Sequence, residues 1–386
     1  METCDVLIVG GGPAGSSCAR KLRRAGLDVI VMDRAVFPRD KVCAGWITPQ
    51  VITDAGIDCD DYRRGRTLQP VAGFRTGLIG GHGEVETVYD RPVSYGIRRC
   101  EFDQYLLQRS DARLKLGTQI SSIRTDGRQW VINDSVRAAV LVGAGGHFCP
   151  VARWLNPTID REPLVVAQEA EFRIEPRDAA SWTAAPGTPE LYFCRDLKGY
   201  GWCFRKGQYL NVGLGRLDRR SFPKASGEFV AFLHARRKIS PDASWRWRGH
   251  AYLVAARRRV IDAGVLLVGD AAGLAYPRSG EGILPAIESG LLAASTIIDA
   301  NGRYTRERLE PYEQQLRGRF GVSAVSRLLS ETMLPGLAAT VVPWLLGTPW
   351  FVRNLVLDRW FLHAHQPALG LPSDQAAARA DRLAPY

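Results

Sequence analysis

Apolar and polar positions alternate along this chain in two rhythms. Residues 5–10, Asp-Val-Leu-Ile-Val-Gly, form an apolar, β-branched run suited to a buried parallel strand. A glycine cluster follows at once, then a helical pattern over 14–25 that Gly26 ends as the C-cap. A second apolar run, 27–32, leads into Asp33. The middle of the chain changes rhythm: 84–88, 165–174, 190–194, 200–204, 209–214 and 248–254 alternate or end in turn residues, which predicts antiparallel strands. Near the end, 264–270 reads as a short buried strand finishing at Gly269-Asp270, with a helix beginning near Gly282. Residues 333–352 carry no charge, but Pro335, Pro343 and Pro349 divide them. One membrane-spanning helix is therefore not expected; kinked apolar helices are. These could cap a lipophilic cavity, lean on a membrane surface with Arg353 and Arg359 at its edge, or pack in a core.

The glycine cluster gives the first run its chemistry. Gly10, Gly12 and Gly15 fill a G-x-G-x-x-G spacing between strand and helix, with Pro13 in the turn and Ala14 opening the helix. Gly10 permits a tight turn, Gly12 lets a pyrophosphate approach the backbone, and Gly15 lets helix and strand pack closely. The helix start offers N–H groups and a positive dipole end to phosphates. Asp33, about 20 residues on, stands where a carboxylate binds ribose hydroxyls. This unit serves an FAD or an NAD-type cofactor, and its residues alone leave the two open. At the far end, Asp270 at a strand end suits a ribityl chain, and the helix near Gly282 can aim amides at a flavin.

Composition narrows the partners. With 386 residues the chain can bury two cores. Its net charge of +11 comes from scattered arginines, without the basic, aromatic-interleaved stripe that nucleic acid requires. An anionic cofactor or acidic lipid suits that charge better. Eight cysteines include no C-x-x-C pair, and the first residues lack a basic leader, which together predict a reducing, cytoplasmic setting and no metal. His363-x-His365 reads as a solvated tail element, and Trp182, Trp245 and Trp247 read as core.

Several motifs together resemble a known group. Gly10 to Gly15, Asp33-Arg34, and Gly269-Asp270 followed by Gly280-Glu281-Gly282-Ile283 are similar to FAD enzymes of the para-hydroxybenzoate hydroxylase fold. Three segments narrow the resemblance to the geranylgeranyl reductase family. Lys41-Val42-Cys43-Ala44-Gly45 is similar to its K-x-C-G-G, Arg99-Cys100-Glu101-Phe102-Asp103 to its R-x-x-F-D, and the segment from Tyr200 to Gly207 to its Y-x-W-x-F-P-K-G. Two positions depart: Arg205 replaces the proline, and Gly145 replaces the aspartate of G-A-D-G, which puts direct reduction by NAD(P)H in doubt.

The resemblance implies an α/β chain with a Rossmann-like FAD-binding domain (1–75, 95–165 and 255–300), an inserted antiparallel-sheet substrate domain (76–94 and 166–254) and a C-terminal helical region (301–386). FAD would be held by Gly10, Gly12, Pro13, Ala14 and Gly15, by Asp33 and Arg34, by Cys43, Ala44 and Arg99, and by Gly269, Asp270, Gly280, Gly282 and Ile283. Cys43, Tyr200 and Trp202 would be the catalytic, substrate-side residues. Cys43 reads equally as a small buried filler, and the two aromatics as ordinary sheet packing. The implied reaction is hydride transfer from reduced flavin to a C=C bond of an apolar, isoprenoid-like substrate, with NAD(P)H or a reduced carrier as electron donor and peripheral membrane contact as a further expectation. A flavin monooxygenase is the main rival. A halogenase would carry W-x-W-x-I-P, which the segment from Gly201 to Arg205 does not match, and a non-enzymatic flavin-binding scaffold would show no turnover.

Overall fold

The computed structural model describes residues 1–81, 83–157, 164–174, 183–239, 246–253, 258–321 and 344–370. Trp182, Trp245 and most of the uncharged stretch at 333–352 lie outside these residues. The first apolar run is the central strand Glu2–Val9, paired in parallel with Val29–Asp33 on one side and Val136–Gly143 on the other. Val6 to Val9 are buried because both sheet edges and both faces around them are covered, which is why four consecutive apolar residues suit this strand. Val136–Gly143 divides its far edge between Gln129–Ile132, antiparallel, and Val265–Leu267, parallel. The resulting eight-stranded sheet places Glu2–Val9 and Val265–Leu267 on either side of Val136–Gly143, both parallel to it, so the early and late glycine motifs leave the same end of the sheet and face one crevice.

Two helices complete that crevice. The first, Pro13–Arg24, has its C-cap at Ala25, one position before the expected Gly26, which lies just beyond in the left-handed region (φ +84°). The second, Ile283–Asp299, crosses it at Gly290, where an added Cβ would sit 2.3 Å from the Ala14 carbonyl. Only a glycine allows this approach, and it brings both helix starts to the same place.

A seven-stranded sheet stands opposite, in the order Arg248–Leu253, Leu164–Arg173, Tyr209–Arg216, Gly199–Lys206, Glu190–Phe193, Gly73–Leu78 and Glu84–Val88. Its pairings are antiparallel except where Glu190–Phe193 meets Gly73–Leu78. A three-stranded sheet of Trp46–Ile47, Ser94–Ile97 and Leu68–Val71 bridges toward the crevice. On one face of the large sheet pack residues of the C-terminal segment, among them Leu346, Val352, Leu357 and Phe361, the last three from a turn of helix at Pro349–Phe351 that continues as π-helix over Val352–Phe361. Two expectations need correction. Trp247 is partly exposed rather than core, because it lies just before an edge strand, Arg248–Leu253. His363 is not solvated: its ring stacks on Tyr276 at 3.9 Å, and Nε2 lies 3.1 Å from Glu281 Oε2.

Candidate active site

A cavity of about 430 Å³ lies between the sheets, lined by the glycine turn, the 41–46 segment, the late Gly-Asp turn and the inner face of the seven-stranded sheet. Its geometry begins with the glycines. Gly10 has φ +117°, and a Cβ there would lie 2.3 Å from the Ala144 carbonyl; one on Gly15 would lie 1.9 Å from the Gly10 carbonyl. Gly12 differs: its added Cβ meets only Arg39 Nη2, at 3.4 Å. Gly10 and Gly15 are thus required by the fold, while Gly12 opens on the cavity. Gly12 and Gly282 are the N-caps of the two long helices, and neither cap makes a side-chain bond. Two positive helix ends converge where Arg34, Arg39 and Lys41 also line the cavity.

Asp33 accepts from the Gly11 N–H (2.8 Å) and the Ala35 N–H (2.8 Å). Each carboxylate oxygen keeps a lone pair, so the residue both holds the glycine turn and remains an acceptor in the cavity. A side cavity of about 100 Å³ shares Gly10, Asp33, Arg34 and Gly145 with the main one. At the other end, Asp270 sits in the turn Gly269–Ala272, whose Gly269 N–H donates to Ser289 Oγ (2.9 Å). A Cβ on Gly282 would come within 2.9 Å of Asp270 Oδ1, and one on Gly280 within 2.2 Å of the Tyr252 hydroxyl. Ile283 opens the second helix beside them.

Arg99 is buried and paired side-on with Asp103, Nε to Oδ1 at 2.8 Å and Nη2 to Oδ2 at 2.9 Å, while Arg39 approaches the same carboxylate at 3.1 Å. Asp103 is fully buried and aims two guanidinium groups; its spacing four residues after Arg99 on one helix was the signal available for that role. Lys41 Nζ donates to His250 Nε2 at 2.6 Å. Burial pushes Lys41 down to about 8, opposed by the Asp270 charge, and pushes His250 down to about 3, aided by the Lys41 charge. His250 lies 209 residues from Lys41 and carried no local signal.

The remaining wall is aromatic. Tyr200, Trp202 and Phe204 face the cavity from one strand, with Trp46, Leu191 and Phe361 around them. Trp46 stacks on Phe361 at 5.5 Å, and Tyr200 meets Phe361 edge-on at 5.2 Å. The Tyr200 hydroxyl donates to the Ser279 carbonyl, and burial holds its ionisation well above the usual range. Trp202 Nε1 donates to Asn211 Oδ1 at 2.7 Å. Cys43 lines the same cavity, its N–H donating to Glu169 Oε2 at 2.7 Å, and Ala44 follows it. Of the residues expected at the site, Gly15 and Gly269 stand behind the lining, in the turns that shape it; the others line this one space.

These residues fit an FAD molecule: the open Gly12 position, the two uncapped helix ends and the cations suit a pyrophosphate, and the elongated space between Asp33 and Asp270 suits a dinucleotide. Comparison with known proteins agrees. Residues 5–75 match the model of the FAD dependent oxidoreductase family. The chain is 30% identical over 428 aligned positions to the menaquinone reductase of Mycolicibacterium smegmatis, covering 99% of this chain and 98% of that one. It is 27% identical to the digeranylgeranylglycerophospholipid reductase of Methanothrix thermoacetophila, over 82% and 84% of the two chains. The fold matches a geranylgeranyl bacteriochlorophyll reductase-like protein from Thermoplasma acidophilum with a TM-score of 0.79, at 22% identity and over 100% of both chains. With the crevice built for FAD, an aromatic chamber beside it and a relative matched from end to end, the chain is an FAD-dependent oxidoreductase that belongs to the geranylgeranyl reductase family.

Proposed function

We propose that this enzyme saturates a C=C bond in an apolar, isoprenoid-like compound. The observation that carries the reading is the chamber walled by Trp46, Leu191, Tyr200, Trp202, Phe204 and Phe361, continuous with the FAD cradle. An alkene has no charge to recognise, so a dry aromatic wall that excludes water and limits orientation is what such a substrate asks of the protein. The names of the menaquinone and digeranylgeranylglycerophospholipid reductases agree with an apolar substrate.

Bound and reduced, FAD supplies a hydride. The second carbon then needs a proton. The Tyr200 hydroxyl proton is committed to the Ser279 carbonyl. The Cys43 thiol, in the segment beside buried Arg99, is the proton source in this reading, with water restoring it after each turnover. Trp202 orients the substrate. In enzyme reduced chemically without oxygen, a polyprenyl substrate should gain two hydrogens; Trp202→Ala, assayed with FAD in excess so that the cofactor site stays filled, should slow this. Products that gain oxygen only when O₂ is admitted would replace the reading with a monooxygenase.

Two further parts belong to the same proposal. NAD(P)H or a small reduced carrier acts as donor, with the carrier favoured by Gly145. Trp344 and Trp350, 72% and 71% exposed, lie on the C-terminal segment near Arg353, and serve as a peripheral membrane contact through which an apolar substrate enters. No helix among the described residues is long and apolar enough to cross a membrane. Anionic vesicles should sediment the enzyme, and Trp344→Ser with Trp350→Ser should abolish this; unchanged sedimentation would exclude these side chains as the contact.

A further inference from the structure

Behind the chamber wall lies a buried polar cluster whose members point toward the chamber's lining without entering it. Lys206 is fully buried, although a lysine rarely is without partners. Its ammonium group donates to the Ala44 carbonyl (3.0 Å), the Ile97 carbonyl (2.9 Å) and Glu171 Oε2 (2.6 Å). Two glycines make way for it. A Cβ on Gly45 would lie 2.6 Å from Lys206 Nζ and 2.1 Å from the Ile97 carbonyl, and one on Gly96 would lie 2.8 Å from Lys206 Cγ. The side chain thus leaves the seven-stranded sheet, runs over Gly96 of the small sheet and ends on the Ala44 and Ile97 carbonyls.

Asn211 continues the cluster. The two N–H groups of its Nδ2 are shared among the Cys43 carbonyl (3.3 Å), Glu169 Oε2 (3.4 Å) and Glu171 Oε2 (3.2 Å), while its Oδ1 accepts from Trp202. Glu169 accepts the Cys43 N–H, so the N–H and the carbonyl of Cys43 are each held by a residue of this cluster. Arg98 closes the far side on Glu171 at 3.0 Å. One connected set of hydrogen bonds therefore fixes Cys43, Ala44 and Trp202 relative to one another. A fully satisfied network of this kind specifies one geometry, because each displacement leaves a buried polar group unpaired.

We propose that Lys206, Asn211, Glu169 and Glu171 are positioning residues that set the Cys43–Ala44 main chain and the Trp202 indole in register around bound FAD. They touch neither substrate nor cofactor; they act through the segment that does. The inference rests on FAD binding and is independent of which substrate the chamber takes.

Three variants test it, each breaking a different strut: Lys206→Met with Glu171→Gln, Asn211→Leu, and Trp202→Phe, which keeps a ring but loses the N–H. A control removes a comparable buried ion pair at another strand of the same sheet, between Glu190 and Lys238 of the chain packed beside it, Lys238→Met with Glu190→Gln, where Nζ and Oε1 lie 2.6 Å apart. The readouts are FAD affinity of the cofactor-free protein, the visible spectrum and the midpoint potential of the bound flavin, and melting temperature. In the three variants FAD affinity should fall about tenfold or more, with a shifted flavin spectrum and potential. The control should lose melting temperature alone. The proposal is overturned if the variants keep the parent spectrum, potential and affinity, or if none of them folds, which would make the cluster a support of the fold and not of the site.

Discussion

Gly12 and Gly15 belong to one motif, yet their surroundings predict opposite failures. A Cβ at position 12 meets only the far end of the Arg39 side chain, at 3.4 Å, so Gly12→Val should fold, melt near the parent temperature and lose bound FAD. At position 15 the obstacle is the Gly10 main chain, so Gly15→Ala should lower stability by about 1–3 kcal/mol and lose FAD as a consequence. Absorbance at the flavin band and melting of the cofactor-free protein separate the two; full FAD occupancy in Gly12→Val would remove the cradle. Glu169 supplies a second residue-scale expectation. Burial pushes its carboxyl up to about 7, with Lys206 opposing. Between about pH 4.5 and 7 the unfolded chain ionises this group while the folded chain keeps it protonated, so its contribution to stability is full at low pH and is lost as pH rises through 7. That difference is worth about 3 kcal/mol. Glu169→Gln should flatten the fall in melting temperature over that window, and an unchanged pH profile would show that the carboxyl ionises normally. Asp33 was legible from its distance to the glycines; that it also holds Gly11 was not, because the bond depends on how the turn folds back.

At the scale of elements, the Arg99–Gln108 helix shows what a motif leaves unsaid. R-x-x-F-D marks Arg99, but the burial of Asp103 between Arg99 and Arg39 decides why both guanidinium groups point as they do. Asp103→Asn should cost about 3–5 kcal/mol, since it leaves buried positive charge uncompensated. The loss should be smaller when FAD is present, because phosphate can take over part of the pairing. Denaturant titration with and without FAD reads both, and equal losses in the two states would place these arginines away from the cofactor. The strand, glycine turn, helix and acid of the first 33 residues were readable because each is encoded by neighbours in sequence. The helical character of the C-terminal segment was expected as well, but where it packs was not. His363 seemed a tail residue from its polar surroundings, but the chain returns it to Glu281 and Tyr276 in the late flavin motif.

The whole molecule decides how electrons arrive. Gly145 lines the cavity at the position where the G-A-D-G motif that the sequence resembles would place aspartate, and it offers no side chain to a nicotinamide donor. Anaerobic bleaching of the flavin by NADPH should be slow beside dithionite, and complete bleaching at about 10 per second, a typical turnover rate, would contradict this. The sequence by itself determined the FAD cradle, the second flavin turn and the family, because these rest on local backbone conformation, on glycines with no Cβ and on residues a few positions apart. Tertiary structure alone decided which side chains stand behind them. Lys41 with His250, Cys43 with Glu169, Trp46 with Phe361 and Lys206 with Ala44 join residues more than 100 positions apart. No periodicity records such pairs, since they exist only where the two large sheets, the small sheet and the C-terminal segment are stacked and water is excluded between them.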